Sequence, residues 1–181
     1  MHGVRVRWRS PDPRPWRGSD FARYFGSVLP RLRDLTWLVD AEAFRPPYDL
    51  ADTESAAFDA RRQWVECESR SIDYFPPHFA CGPGFAPDFA DWCNDDWNCL
   101  YGFDHPLADW RKWLRGRNEG SNSEKAAYLA RTATVCFFAV DGAYWEFFAH
   151  DIGQVAEVAD AAGVVAGMLV ESVALADSVG L

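Results

Sequence analysis

The chain has 181 residues, 49% of them hydrophobic and 15% aromatic, and a formal net charge of −9. That is enough apolar material for one continuous core, so a single α+β domain over residues 1–181 is expected, and an acidic surface argues against nucleic acid as a partner. Five cysteines, an odd number in a chain long enough to fold without staples, point to reduced thiols.

Residues 1–10, MHGVRVRWRS, are positively charged but lack the apolar run of a secretory signal, so a cytoplasmic location is expected. Val4, Val6 and Trp8 alternate with Arg5, Arg7 and Arg9, the period-two pattern of a half-buried strand whose solvated arginine row would suit a sheet edge. Arginines interleaved with Trp8 and Trp16 could also contact nucleic acid, but the surplus is local and the strand is the better reading. Pro11, Pro13 and Pro15 make a stiff connection, and a helix opens near Ser19 with the stripe Phe21, Phe25, Val28, Leu32 and Leu35, interrupted at Pro30. Residues 35–39, LTWLV, fit either the end of that helix or a short buried strand, and their Thr and Val favour the strand. Asp52 caps a second helix that carries Ala57, Ala60, Trp64 and Cys67 on one face.

The charge imbalance is concentrated in one block. Residues 1–70 carry a net +1 and residues 111–181 a net −3, whereas residues 71–110 contain seven aspartates and no lysine or arginine. Ten aromatic residues and five prolines share that block. Prolines and glycines discourage long regular elements, and so many rings discourage disorder, so an ordered, irregular segment is expected.

A third helix is expected to start at His105-Pro106, with Leu107, Trp110 and Leu114 on one side and Arg111, Lys112 and Arg115 in a last turn before Gly116. Ser121 and Glu124 have capping-box spacing and open a fourth helix through Arg131. Two β-rich runs then flank Asp141-Gly142, the pair favoured in a two-residue type I′ turn. Such a turn pairs Val140 with Ala143, Phe138 with Trp145 and Cys136 with Phe147, which would place all six on one core face. Asp151 and Gln154 cap a last helix whose stripe runs from Ile152 to Leu169. Residues 152–181 are apolar, but Glu157, Asp160, Glu171 and Asp177 interrupt them too often for a membrane span. The sum is an α+β fold, with a mainly antiparallel sheet that includes a C-terminal hairpin and packs against several helices.

His78, Cys81, Cys93, Cys99 and His105 offer zinc-type ligands within one stretch, which keeps a small enzyme or zinc protein as an alternative. Their spacing lacks the short Cys-x-x-Cys knuckle, and buried free thiols among rings are the simpler reading. Cys136 and His150 fall on opposite faces of the expected hairpin, and no phosphate cradle, His-Glu-x-x-His or Gly-x-Ser-x-Gly is present. Neighbouring aspartates such as Asp95 and Asp96 are more often solvated than catalytic. No catalytic residue, metal ligand or cofactor is therefore assigned, and a binding protein is expected in preference to an enzyme.

Residues 88–104, DFADWCNDDWNCLYGFD, combine an acidic field with large rings, and interface centres favour such rings. Asp88, Asp91, Trp92, Asp95, Asp96, Trp97, Tyr101 and Asp104 are the candidate partner-binding residues. With the hairpin VDGAYWEFFAHD and this Trp/Asp-rich stretch, the chain resembles the immunity proteins of bacterial polymorphic-toxin systems. The resemblance implies a stoichiometric inhibitor of a cognate, cytosol-acting protein toxin, one with a basic active-site cleft, and no nucleic-acid or membrane partner.

Overall fold

A computed structural model describes residues 1–9, 25–32, 34–41, 78–81, 98–140, 144–178 and 180–181. Seven strands form one sheet: β1 (His2–Trp8), β2 (Thr36–Ala41), β3 (His78–Cys81), β4 (Asn98–Phe103), β5 (Val135–Val140), β6 (Tyr144–Ala149) and β7 (Met168–Ser172). Their order is β3-β2-β4-β5-β6-β1-β7, and every neighbouring pair is antiparallel. Helices α1 (Trp110–Asn118), α2 (Asn122–Thr132) and α3 (Ile152–Gly163) complete the described architecture, with short 3-10 turns at Leu29–Leu32 and Leu175–Asp177. This is the α+β class, with the antiparallel sheet and hairpin that the sequence implies.

Both faces of the sheet are covered. On one, Val4, Val6, Trp145 and Phe147 pack with Val155, Val158 and Ala162 of α3 and with Phe25, Val28 and Leu32. On the other, Tyr101, Phe103, Phe138 and Phe148 meet Trp113 and Leu114 of α1, Leu129 of α2 and Leu175. A strand buried on both sides needs apolar residues at consecutive positions rather than alternate ones, which accounts for the runs VCFFAV and YWEFFA. Phe25 meets Phe137 edge-on at 5.1 Å, and Phe137 lies 4.7 Å from Phe147, so the first core is a tight aromatic stack.

The hairpin's partners differ from those expected of a two-residue turn. Val140 pairs with Tyr144, Phe138 with Glu146, Phe137 with Phe147 and Cys136 with Phe148, so three residues separate the strands. Because side chains alternate, this one-residue slip sends Phe137 and Phe147 to one core and Cys136 and Phe148 to the other. The Asp141-Gly142 turn itself lies outside the described residues.

Four further expectations are corrected. The first strand is not an edge, for β1 lies between β6 and β7, and two of its arginines are paired within the sheet. The last helix ends at Gly163 rather than Leu169: Gly167, at φ +88°, turns the chain into β7, whose Met168 pairs with Trp8. Helix α1 starts at Trp110 rather than His105-Pro106, capped by Asp109, whose carboxylate accepts from the Lys112 amide at 2.9 Å, and it runs through Gly116 to Asn118. The Gly116 position is set by packing, since a Cβ there would fall 2.9 Å from the Tyr128 hydroxyl. The block 71–110, expected to be irregular, supplies β3 and β4. Residues 98–103 lie clear of the prolines, and Leu100 and Tyr101 enter opposite cores.

Several expectations hold. Val4 and Val6 face the core, the strand expected over 35–39 is present as Thr36–Ala41, and Ser121 and Glu124 make a reciprocal capping box. Asp151 caps α3 by accepting from the Gly153 amide at 2.8 Å. The start of the first helix and the whole of the second lie outside the described residues. No described helix is long and apolar enough to cross a membrane.

Gly3 shows how closely the sheet is packed from the second face. A Cβ at this position would press onto the Phe148 ring and come within 2.6 Å of the Val173 carbonyl. Gly3→Ala is therefore expected to destabilise the fold by about 1–3 kcal/mol through overpacking. Chemical denaturation measures this, and an unchanged midpoint would show that the Phe148 face is loosely filled.

Candidate functional site

Among the described residues three polar or charged side chains are buried, Arg117, Glu146 and Ser178, and all belong to one connected set. Glu146 stands at the centre of β6, directly opposite Arg5 of β1. Its Oε1 accepts from Arg5 Nε at 2.8 Å and from Arg5 Nη2 at 2.6 Å. Its Oε2 accepts from the Ser178 hydroxyl, whose oxygen in turn accepts from the Gly180 amide at 3.1 Å. The Gly180 carbonyl accepts from Arg117 Nη2 and, at 3.7 Å, from the Cys99 thiol.

The Arg5 guanidinium also lies 4.5 Å over the Tyr144 ring, and burial, followed by the nearby Glu146 charge, pushes the Tyr144 hydroxyl pKa up. One strand further, Arg7 Nη2 donates to Glu171 at 2.6 Å. That hydrogen bond is the main reason the Glu171 carboxyl sits below its ordinary range and Arg7 above its own. Both oxygens of Glu146 are taken by protein donors and the side chain is fully enclosed, so it fastens the C-terminal segment to the sheet rather than meeting a substrate. Ser178→Ala leaves one oxygen of a buried carboxylate without its donor. We expect a loss of about 1–3 kcal/mol, read by chemical denaturation, and no loss would show that water substitutes for the hydroxyl.

The sequence-derived binding residues divide into three groups. Asp88, Asp91, Trp92, Asp95, Asp96 and Trp97 lie outside the described residues. Tyr101 does not belong to a surface: it is fully enclosed on the second face, 4.9 Å from Trp113 and 5.9 Å from Phe138. The alternation of β4 decides this, since Leu100 faces the first core and Tyr101 must therefore face the second. Asp104, directly after β4, is exposed as expected. Its amide donates to Thr134 Oγ1 at 3.0 Å, and its carboxylate is 2.6 Å from His105 Nδ1. The His105 hydrogen bond is the chief cause that holds the Asp104 carboxyl below its ordinary range, with a smaller contribution from the charge of His150.

A carboxyl depressed in the fold adds its stabilisation above the ordinary carboxylate range and loses it as pH falls through the lowered value. His105→Ala is expected to move the Asp104 titration upward in a carboxyl-carbon NMR experiment. An unmoved titration would assign the shift to the backbone instead.

Among the described residues the other reactive candidates are not gathered into a site. No group of three His, Cys, Asp or Glu among the described residues is arranged to hold a metal ion. His105 is paired with Asp104 at the surface, whereas Cys99 is half-buried with its thiol on the Gly180 carbonyl. Cys93 lies outside the described residues, and of His78 and Cys81 only the backbone placement in β3 is described. Cys136 is wholly enclosed, and burial pushes its thiol pKa far up, the reverse of what a nucleophile needs.

Sequence reasoning missed the enclosed charge set. Its signal was present: Glu146 is the one charged residue in the two apolar runs of the hairpin, so it needed a counter-charge, and the alternating arginines of residues 5–9 were available. Nothing in the sequence singled out Ser178 or Arg117.

No family model, curated protein or solved structure matches this chain.

Proposed function

We propose that the protein is an immunity protein, one that binds and inhibits a cognate, cytosol-acting bacterial toxin through the acidic, aromatic-rich stretch 88–104. The observation that carries this reading is the segregation of charge, seven aspartates and no lysine or arginine over residues 71–110. Among the described residues outside that block, several acidic side chains have internal work: Glu146 pairs with Arg5, Glu171 with Arg7 and Glu157 with Arg31, while Glu124 and Asp151 serve helix caps. Within the block, Asp109 caps α1. Asp104, at the C-terminal end of the acidic stretch, keeps 74% of its side chain exposed.

A toxin that acts on nucleic acid or nucleotides presents a basic cleft, and clustered carboxylates beside indole rings suit such a cleft as a mimic of phosphate. The surface in this proposal comprises Asp88, Asp91, Trp92, Asp95, Asp96, Trp97 and Asp104, with Tyr101 excluded as an interior ring.

The test starts with affinity capture from the native host and mass spectrometry to identify the toxin, followed by binding kinetics at low ionic strength. Reversal of Asp91, Asp95 and Asp96 to Lys is expected to slow association by about 10-fold or more, because steering depends on the summed field. Trp92→Ala and Trp97→Ala are expected to act mainly on dissociation, by about 10-fold each if they are central to the interface. Unchanged kinetics in all of these variants would remove the surface from the account.

A further inference from the structure

We propose that β7 is a self-association edge, at which two copies of the chain pair antiparallel along Met168–Ser172 about a two-fold axis through Val170 and join their sheets into one. Among the described residues β7 is the last strand of the sheet on the side away from β3, and one row of its backbone groups has no neighbouring strand there.

The ladder with β1 identifies that row. The Arg9 amide donates to the Gly167 carbonyl at 2.7 Å and the Val173 amide to the Gly3 carbonyl at 3.1 Å, which turns residues 167 and 173 towards β1. Antiparallel strands alternate, so Leu169 and Glu171 also turn inward. Val170 and Ser172 then direct both their amides and their carbonyls outward. The Met168 amide is taken by the Val165 carbonyl at 3.1 Å, which leaves its own carbonyl on the open side.

Exposed edges are usually protected by lysine, proline or a projecting charge. The sequence MLVES has no lysine or proline, and its one charge is held back on Arg7 at 2.6 Å.

The occupant that fits is a second copy. With the axis at Val170, the two Val170 residues form a hydrogen-bonded pair and exchange two bonds. Each Ser172 amide then meets the Met168 carbonyl of the other copy, for two more. Glu171 falls opposite Leu169 of the other copy, so no carboxylate faces a carboxylate, and each Glu171 brings its own counter-charge in Arg7. The contact is isologous and closes on itself. It uses the edge away from β3 and does not depend on the acidic stretch.

Sedimentation velocity of the full chain over a concentration series is expected to show a monomer–dimer equilibrium, strengthened by added salt because each copy carries a net charge of −9. Val170→Pro removes an amide that faces solvent in the monomer, so circular dichroism should be preserved while the dimer dissociation constant rises about 10-fold or more. Val170→Cys supplies a readout that does not require a weakened strand. Hydrogen-bonded antiparallel pairs stand about 5.5 Å apart at Cα, within disulfide range, so mild oxidation should give a covalent dimer with a 170–170 link in the peptide map. A chain that stays monomeric throughout the series overturns the proposal and leaves the edge for a foreign strand. A dimer that Val170→Pro does not weaken and that lacks the 170–170 link also overturns it, since the copies would then meet elsewhere.

Discussion

A carboxylate enclosed in a sheet that is covered on both faces must find its counter-charge inside the fold, and this requirement ties together parts of the chain far apart in sequence. Glu146 takes Arg5 from the first strand and Ser178 from the C-terminal segment. The first contact fixes β1 against β6, and hence the position of β7 beyond it; the second draws Ser178 and, through it, Gly180 onto the helix face, where Arg117 fastens the Gly180 carbonyl. Breaking a buried pair by removing one partner commonly costs about 3–5 kcal/mol, whereas an apolar pair of similar volume is often as stable. The set therefore specifies which strand lies beside which more than it adds stability.

Much of this fold is legible in the sequence, and the failures have physical reasons. Period-two alternation locates β1 because Val4 and Val6 face one core. It cannot show that the arginines between them face a covered sheet, since a solvated row and a paired row have the same pattern. The hairpin is legible from two β-rich runs, but its register is not, because both strands are apolar on both faces and a one-residue slip exposes nothing. In residues 152–172 the small apolar residues suit helix and strand alike, and the boundary falls where Gly167 takes a positive φ.

The candidate site is legible to a smaller degree. The charge segregation is a property of the sequence, and the exposure of Asp104 agrees with it. Tyr101 shows the limit of reasoning from composition: a ring beside aspartates resembles an interface anchor, yet strand alternation places it among Trp113 and Phe138. An aromatic-rich acidic stretch thus has two uses for its rings, and only the pleat of β4 separates them. The segment between Cys81 and Asn98 joins the two strands that flank β2 in the sheet.

The order of β6, β1 and β7 depends most on the coupling of Arg5 and Glu146. A double-mutant cycle with Arg5→Met and Glu146→Leu, followed by chemical denaturation, tests it directly. Arg5→Met, which leaves the enclosed Glu146 carboxylate without its counter-charge, should lower stability by about 3–5 kcal/mol; Glu146→Leu should cost less because Arg5 reaches solvent, and the double change should cost clearly less than the sum. A double variant that loses the full sum would show that the two residues act independently, and that the sheet order does not rest on this pair.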